Sequence, residues 1–99
     1  MLLSIVIPAH NEEESIEETV LAFHSKLKSE KIPHEILVVN DNSKDSTEKI
    51  LQTLEKSIPE LRHVNNTPPN GFGFAVRCGL ENYSGDCVAV VMADMSDRP

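Results

Sequence analysis

Asp41, Asp94 and Asp97 each follow an apolar run, where an α/β chain can put a carboxylate to chemical use. Asp41 comes after Ile36-Leu37-Val38-Val39-Asn40, and Asp94 and Asp97 come after Val88-Ala89-Val90-Val91-Met92. A short carboxylate just beyond a buried strand can accept hydrogen bonds from ribose hydroxyls or from the N–H groups of a base. Two carboxylates in one loop suit a hard divalent cation such as Mg²⁺, which takes oxygen ligands and is commonly shared with substrate phosphates. With such a cation an otherwise acidic cleft can hold a diphosphate. Each position also has a plainer reading. Asn40-Asp41-Asn42-Ser43-Lys44-Asp45 has the composition of any tight turn, and Ser96 or Asp97 could cap a helix in a solvated loop. Pro8-Ala9-His10-Asn11-Glu12 follows the first apolar run, and a flat ring at His10 could pack on a base there. The histidines, His10, His24, His34 and His63, share no metal-ligand spacing, and the last three read as surface or boundary residues. Arg77 is the cation best placed for an anion, although Glu81 four residues on offers it an ion pair.

These residues act together only if the elements before them are parallel strands with their carboxyl ends on one rim. The pattern predicts this arrangement. Residues 2–7, 36–39 and 88–92 are continuous apolar runs of the kind buried on both faces of a sheet, and residues 61–64 form a weaker fourth run. Between the first two, Ile16, Val20, Phe23 and Leu27 recur at helical spacing. Asn11 with Glu14, or Ser15 with Glu18, gives that helix a capping-box spacing. A second helix is predicted from an Asp45 cap, with Glu48 three residues on, a stripe of Ile50, Leu51 and Leu54, and a stop before Pro59. A third is predicted over 73–83, with Val76 and Leu80 on its inner face and Gly71-Phe72-Gly73 as the turn leading into it. Alternating strands and helices of this kind make a parallel sheet covered by helices, in which ligands bind outside the carboxyl ends of the strands.

Composition narrows the partners. The 99 residues carry 9 Lys and Arg against 16 Asp and Glu, a formal charge of −7, with no basic cluster to displace counterions from a nucleic acid. Length and composition fit one globular domain at most. The opening Met-Leu-Leu-Ser-Ile-Val-Ile-Pro reads as a strand rather than an export signal, since no basic residue precedes the apolar run and no small-residue cleavage pattern follows. No window approaches the roughly 18 apolar residues of a membrane span. Cys78 and Cys87 fit neither a zinc spacing nor a disulfide framework, so a reduced, cytoplasmic setting with both thiols as small buried hydrophobes is the expectation. The chain stops a few residues after a buried strand, and is expected to be the first part of a longer protein. A sheet edge left open there would offer a pairing surface to a second copy.

The first loop excludes the commonest nucleotide-binding turn. It has no glycine to admit a pyrophosphate and carries Glu12, Glu13 and Glu14 instead. Three readings share acidic residues at strand ends. A receiver-like regulatory domain would hold Mg²⁺ without using nucleotides. A sugar nucleotidyltransferase would need a glycine-rich, basic first loop. The third reading comes from four segments together.

Ile5-Val6-Ile7-Pro8-Ala9-His10-Asn11-Glu12 resembles the opening strand and Pro-x-x-Asn-Glu loop of the family 2 glycosyltransferases. Val38-Val39-Asn40-Asp41-Asn42-Ser43-Lys44-Asp45-Ser46-Thr47 resembles their Val-Asp-Asp-x-Ser-x-Asp-x-Thr segment. Asn70-Gly71 with Gly73, Ala75 and Gly79 resembles their third block, and Val91-Met92-Ala93-Asp94-Met95-Ser96-Asp97 falls where their Asp-x-Asp motif lies. The resemblance covers essentially the whole chain and is closest in tone to the dolichyl-phosphate mannose synthase-like branch, which uses polyprenyl phosphates. It implies a three-layer α/β/α, Rossmann-like (GT-A) half with a mostly parallel sheet, residues 1–99 being the donor-binding part and the acceptor half absent. It implies inverting transfer of a sugar from a nucleotide-diphosphate donor, with Mg²⁺ or Mn²⁺ as cofactor, by a full-length protein that the family places on the cytoplasmic face of a membrane. Carried over residue by residue, Pro8, Ala9, His10 and Glu12 would line the base and ribose, Asp41 would contact the nucleoside, and Asp94 would meet the metal-bound diphosphate; apart from that carry-over, Asp97 is the candidate to complete the metal site and Arg77 the candidate for the anion. The catalytic base is expected beyond residue 99, so these residues by themselves are not expected to turn over substrate. Two positions depart from the pattern: Asn40 stands for the first aspartate of the second segment, and Met92 for the first carboxylate of Asp-x-Asp.

Overall fold

A computed structural model of the chain describes residues 2–10, 13–41, 46–66 and 71–91. The elements alternate as β1 (Leu3–Ala9), α1 (Ile16–Ser29), β2 (His34–Asn40), α2 (Thr47–Glu55), β3 (Leu61–Asn65), α3 (Phe72–Asn82) and β4 (Cys87–Val90). The strands form one sheet in the order β3-β2-β1-β4, and every neighbouring pair is parallel. Pairing of Leu3 with His34 through to Ala9 with Asn40 brings the first two strands to the rim at the same height. The chain winds outward from β1 to β3 and then crosses back to place β4 on the other side of β1. That reversal puts a topological switch point between β1 and β4, where an open α/β sheet forms its ligand crevice.

Strand side chains alternate between the two faces, and each face has its own core. Ile5, Ile7, Ile36 and Val38 pack against Ile16, Val20 and Leu27 of α1 and Leu51 and Leu54 of α2. Val6, Leu37 and Val39 pack on the opposite face against Ala75 of α3. The result is the expected three-layer α/β/α arrangement.

The third helix turns a different face inward from the one predicted. Leu80 is 44% exposed and Val76 half-buried, while Ala75 is 1% exposed and Gly79 is buried. The reason is close approach. A Cβ on Gly79 would collide with Val6 Cγ1 and lie 3.2 Å from Val39 Cγ2, so the small residues at 75 and 79 let the helix backbone settle directly on the two strands. Gly71, the predicted entrance to this helix, stands at its N-cap with φ of 130°, a conformation glycine adopts without penalty.

Other expectations change at the ends of elements. α1 begins after Ser15, which makes no side-chain cap bond. Ser46 rather than Asp45 precedes α2, and Asp45 lies outside the described residues. The turn that ends α2 closes through Ser57 and Ile58 main-chain N–H groups donating to the Leu54 carbonyl, just before Pro59. Neither cysteine is in a disulfide, but Cys87 at the start of the edge strand β4 is exposed and not a buried hydrophobe. His34 is buried rather than superficial: its Nδ1 donates to the Ile32 carbonyl at 2.9 Å, and its Nε2 lies 3.0 Å from His24 Nδ1. No helix among the described residues is long and apolar enough to cross a membrane.

Candidate functional site

Asp41, the first residue beyond β2, is where the rim segments meet. It is only 5% exposed although it follows the last strand residue. Its main-chain N–H donates to the Ala9 carbonyl at 2.7 Å, which locks the end of β2 to the end of β1. Its main-chain oxygen accepts from His10 Nδ1 at 2.6 Å, so the His10 proton sits on Nδ1 and the ring is held over the end of β2. The carboxylate is gripped from two further segments. Asn66 Nδ2, just past β3, donates to Oδ1 at 2.9 Å, and the Gly71 N–H at the start of α3 donates to Oδ2 at 2.9 Å. Burying a carboxylate is costly unless donors compensate it, and two donors on separate oxygens both offset that cost and fix the plane of the group.

Pro8 and Ala9 are buried within β1, and His10 is exposed at its end. Among the described residues the pairing of β1 with β4 runs to Val6 and Val90, two residues short of Pro8, whose ring nitrogen has no hydrogen to donate. Pro8, Ala9, His10 and Asp41 therefore come together at the rim beside the switch point. Arg77 is directed elsewhere: its guanidinium is in the alternative ion pair with Glu81, 3.5 Å from Nε, on a side chain 76% exposed. Glu12, Asp94 and Asp97 lie outside the described residues. Among the described residues no three His, Cys, Asp or Glu side chains gather closely enough to hold a metal ion.

Asn40 takes a role that an aspartate could not fill unchanged. Its Nδ2 donates to Asn65 Oδ1 at 3.0 Å, and Asn65 Nδ2 donates in turn to Glu48 Oε2 at 3.0 Å in the first turn of α2. A carboxylate at position 40 would set oxygen against oxygen until Asn65 turned over. Glu13, at the entrance to α1, accepts from the Ser46 N–H at 2.9 Å, joining the first and second rim loops. The negative field of Asp41 also reaches α3. Burial pushes the Cys78 thiol above its usual pKa, and the charges of Glu81 and then Asp41 push it the same way.

The sequence reading missed Asn66 and the Gly71 N–H as partners of Asp41. A signal was present, since Asn65-Asn66 closes the weak third strand with polar residues just as Asn40-Asp41 closes the second. It also passed over Glu35, which is buried at the opposite end of the sheet. Glu35 Oε2 accepts from Ser4 Oγ at 2.5 Å and from the Ser84 N–H at 2.6 Å, and Oε1 accepts from Arg62 Nε at 3.1 Å. Arg62 extends to the Asn82 carbonyl and to Ser84 Oγ, and the Gly85 N–H donates to Ser4 Oγ at 2.8 Å. Burial works to raise the Glu35 pKa, but these hydrogen bonds and the Arg62 charge outweigh it and hold the carboxyl below its usual value. This clamp fastens the turn between α3 and β4 to β1, β2 and β3, away from the rim.

The match to known proteins spans nearly the whole chain. Residues 4–99 fit the model of glycosyl transferase family 2. A dolichol-phosphate mannosyltransferase of Pyrococcus furiosus is 33% identical over 99 residues, covering 100% of this chain and 27% of that protein. A bactoprenol glucosyl transferase of Shigella phage SfV is 38% identical over 100 residues, covering 98% of this chain and 32% of its own length. Among solved structures, a mannosyltransferase of Pyrobaculum calidifontis in complex with GDP-Man and Mn²⁺ superposes with a TM-score of 0.77 at 25% identity, over 93% of this chain and 27% of that one. Glucosyl-3-phosphoglycerate synthase of Mycobacterium tuberculosis, with Mn²⁺, UDP-glucose and phosphoglyceric acid, gives 0.71 at 29% identity, over 94% and 33%. The chain thus spans about a third or less of the length of these relatives. Its four parallel strands are laid out as in GT-A glycosyltransferases. On the family match and the shared fold, this chain belongs to glycosyltransferase family 2.

Proposed function

We propose that this chain forms the donor-binding part of a glycosyltransferase that moves a sugar, with inversion, from a nucleotide diphosphate to an acceptor, a polyprenyl phosphate being the favoured class. The observation that carries the reading is the buried carboxylate of Asp41 at the rim beside the switch point, fixed by Asn66 and the Gly71 N–H, with the Asp41 main chain joined to both Ala9 and His10. Relatives named for dolichol-phosphate and bactoprenol substrates support the acceptor class, and neighbours holding GDP-Man or UDP-glucose support the donor class.

In this reading Asp41 accepts hydrogen bonds from the nucleoside, and Pro8, Ala9, His10 and Glu12 line the base and ribose. His10 is anchored through Nδ1, so it presents an oriented ring face. Asp94 and Asp97 would hold a Mg²⁺ or Mn²⁺ ion, whose charge offsets that of the diphosphate. Arg77 would have to leave Glu81 to meet that anion. The share of these residues in catalysis is positioning of the donor and exclusion of other orientations. The catalytic base and acceptor site fall outside the chain. The whole protein would work at the cytoplasmic face of a membrane, and the β4 edge is the surface on which a second copy would pair.

Asp97 is proposed to make up for Met92, which stands where the family has a first carboxylate. Calorimetric titration of UDP and GDP should then show tighter binding with Mn²⁺ than with EDTA. The gain should shrink about tenfold in Asp97→Ala and more in Asp94→Ala. A metal-dependent gain that survives Asp97→Ala unchanged would refute this assignment.

A further inference from the structure

We propose that Asn66 is a positioning residue for the nucleoside, acting through the carboxylate of Asp41. The inference rests on the reading of Asp41 as the nucleoside contact. Asn66 is itself fixed: its main-chain N–H donates to the Asn40 carbonyl at 3.0 Å, continuing the β2–β3 pairing one residue past the strand. Its side chain then reaches across the end of β2 to place Nδ2 at 2.9 Å from Asp41 Oδ1. The other oxygen is held by the Gly71 N–H.

The terminal torsion of an aspartate is broad and roughly two-fold, so one donor leaves the carboxylate free to swing about it. Two donors on different oxygens, arriving from β3 and α3, remove that freedom. A nucleoside hydrogen-bonding to Asp41 would then meet a carboxylate already in place. The neighbouring asparagine cannot substitute. Asn65 uses its amide on Asn40 and Glu48, on the α2 face of the sheet, whereas Asn66 turns to the α3 face, as alternation along a strand requires.

The test is calorimetry on the 99-residue chain with Mn²⁺ and either UDP or GDP, beside inorganic pyrophosphate with Mg²⁺ as a probe that lacks the nucleoside. Asn66→Ala should weaken the nucleoside diphosphate about tenfold and leave pyrophosphate unchanged. In an Asp41→Ala background the same substitution should add less than about twofold, because the two residues act as one unit. Asn65→Ala should change the nucleotide affinity little. Asn66→Asp, which keeps the shape but sets a carboxylate against Asp41, should lose at least as much as the alanine variant and serves if that variant does not fold.

Equal loss of pyrophosphate and nucleotide would make Asn66 merely structural and overturn the proposal. Full additivity with Asp41→Ala, or no loss in Asn66→Ala beside a clear loss in Asp41→Ala, would also overturn it while leaving Asp41 as the contact. If Asp41→Ala itself binds nucleotide as tightly as the native chain, the reading of Asp41 fails first and this inference with it.

Discussion

Replacing Glu35 with alanine should lower the thermal midpoint of the chain by roughly 10 to 20 °C, the equivalent of about 2 to 3 kcal/mol for a domain of this size. The carboxylate is the common acceptor for Ser4 Oγ, the Ser84 N–H and Arg62 Nε. Truncation leaves these donors facing a cavity, and a buried donor without a partner costs more than its hydrogen bond contributed. The sign of the pH dependence follows from the lowered carboxyl pKa. The contribution of Glu35 is fully present above the unfolded-state value near 4.5 and is lost as pH falls through the lower folded-state value. Thermal melts between neutral and acid pH should therefore show a declining midpoint in the native chain and a shallower decline in Glu35→Gln. Identical acid limbs would show that the clamp does not govern acid stability. Since Glu35 sits at the end of the sheet away from the rim, Glu35→Gln should bind nucleotide as the native chain does wherever it is folded.

Removal of the Asp41 carboxylate should have the largest effect on binding, about 30- to 100-fold in the affinity for UDP or GDP in the presence of Mn²⁺. Asp41→Ala removes both the proposed nucleoside acceptor and the group that ties Asn66 to the start of α3. Asp41→Asn is a sharper probe. It preserves volume and can keep the Gly71 N–H on its amide oxygen if Asn66 turns over to accept from the new Nδ2, but it removes the charge and one acceptor oxygen, so binding should weaken by less than in the alanine variant. Retention of native affinity in the asparagine variant would mean that a neutral turn suffices at this position, as the plainer reading of Asn40-Asp41-Asn42-Ser43 has it.

The centre of the sheet was legible because β1 and β2 are largely apolar on both faces, which periodicity and β-branching reveal directly, whereas β3 with Arg62 and His63 gave the weaker signal. The rim was legible because parallel strands place all their carboxyl ends together, so Ala9, His10 and Asp41 could be grouped before their hydrogen bonds were known. α3 was misread because its buried face is marked by the smallness of Ala75 and Gly79 and not by apolar bulk. A pattern of Val76 and Leu80 is the stronger hydrophobic signal, yet backbone approach to Val6 and Val39 decides which side turns inward. Glu35 escaped notice for a related reason. Its burial depends on Arg62 and on the turn at Ser84, 27 and 49 residues away along the chain, and no local pattern encodes such a pairing. Of the three readings open at acidic strand ends, the family match selects the glycosyltransferase.

The most direct test of the central claim is a ¹H–¹⁵N correlation spectrum of the chain, titrated with uridine, guanosine and cytidine diphosphates, each with and without Mg²⁺, which unlike Mn²⁺ is diamagnetic. The account predicts that one base gives metal-dependent shifts concentrated at Ala9, His10, Asp41 and Gly71, with Glu35 and Ser84 at the far end of the sheet unmoved. A dispersed spectrum in which none of the three diphosphates moves the rim resonances, or in which the shifts gather away from Asp41, would contradict it.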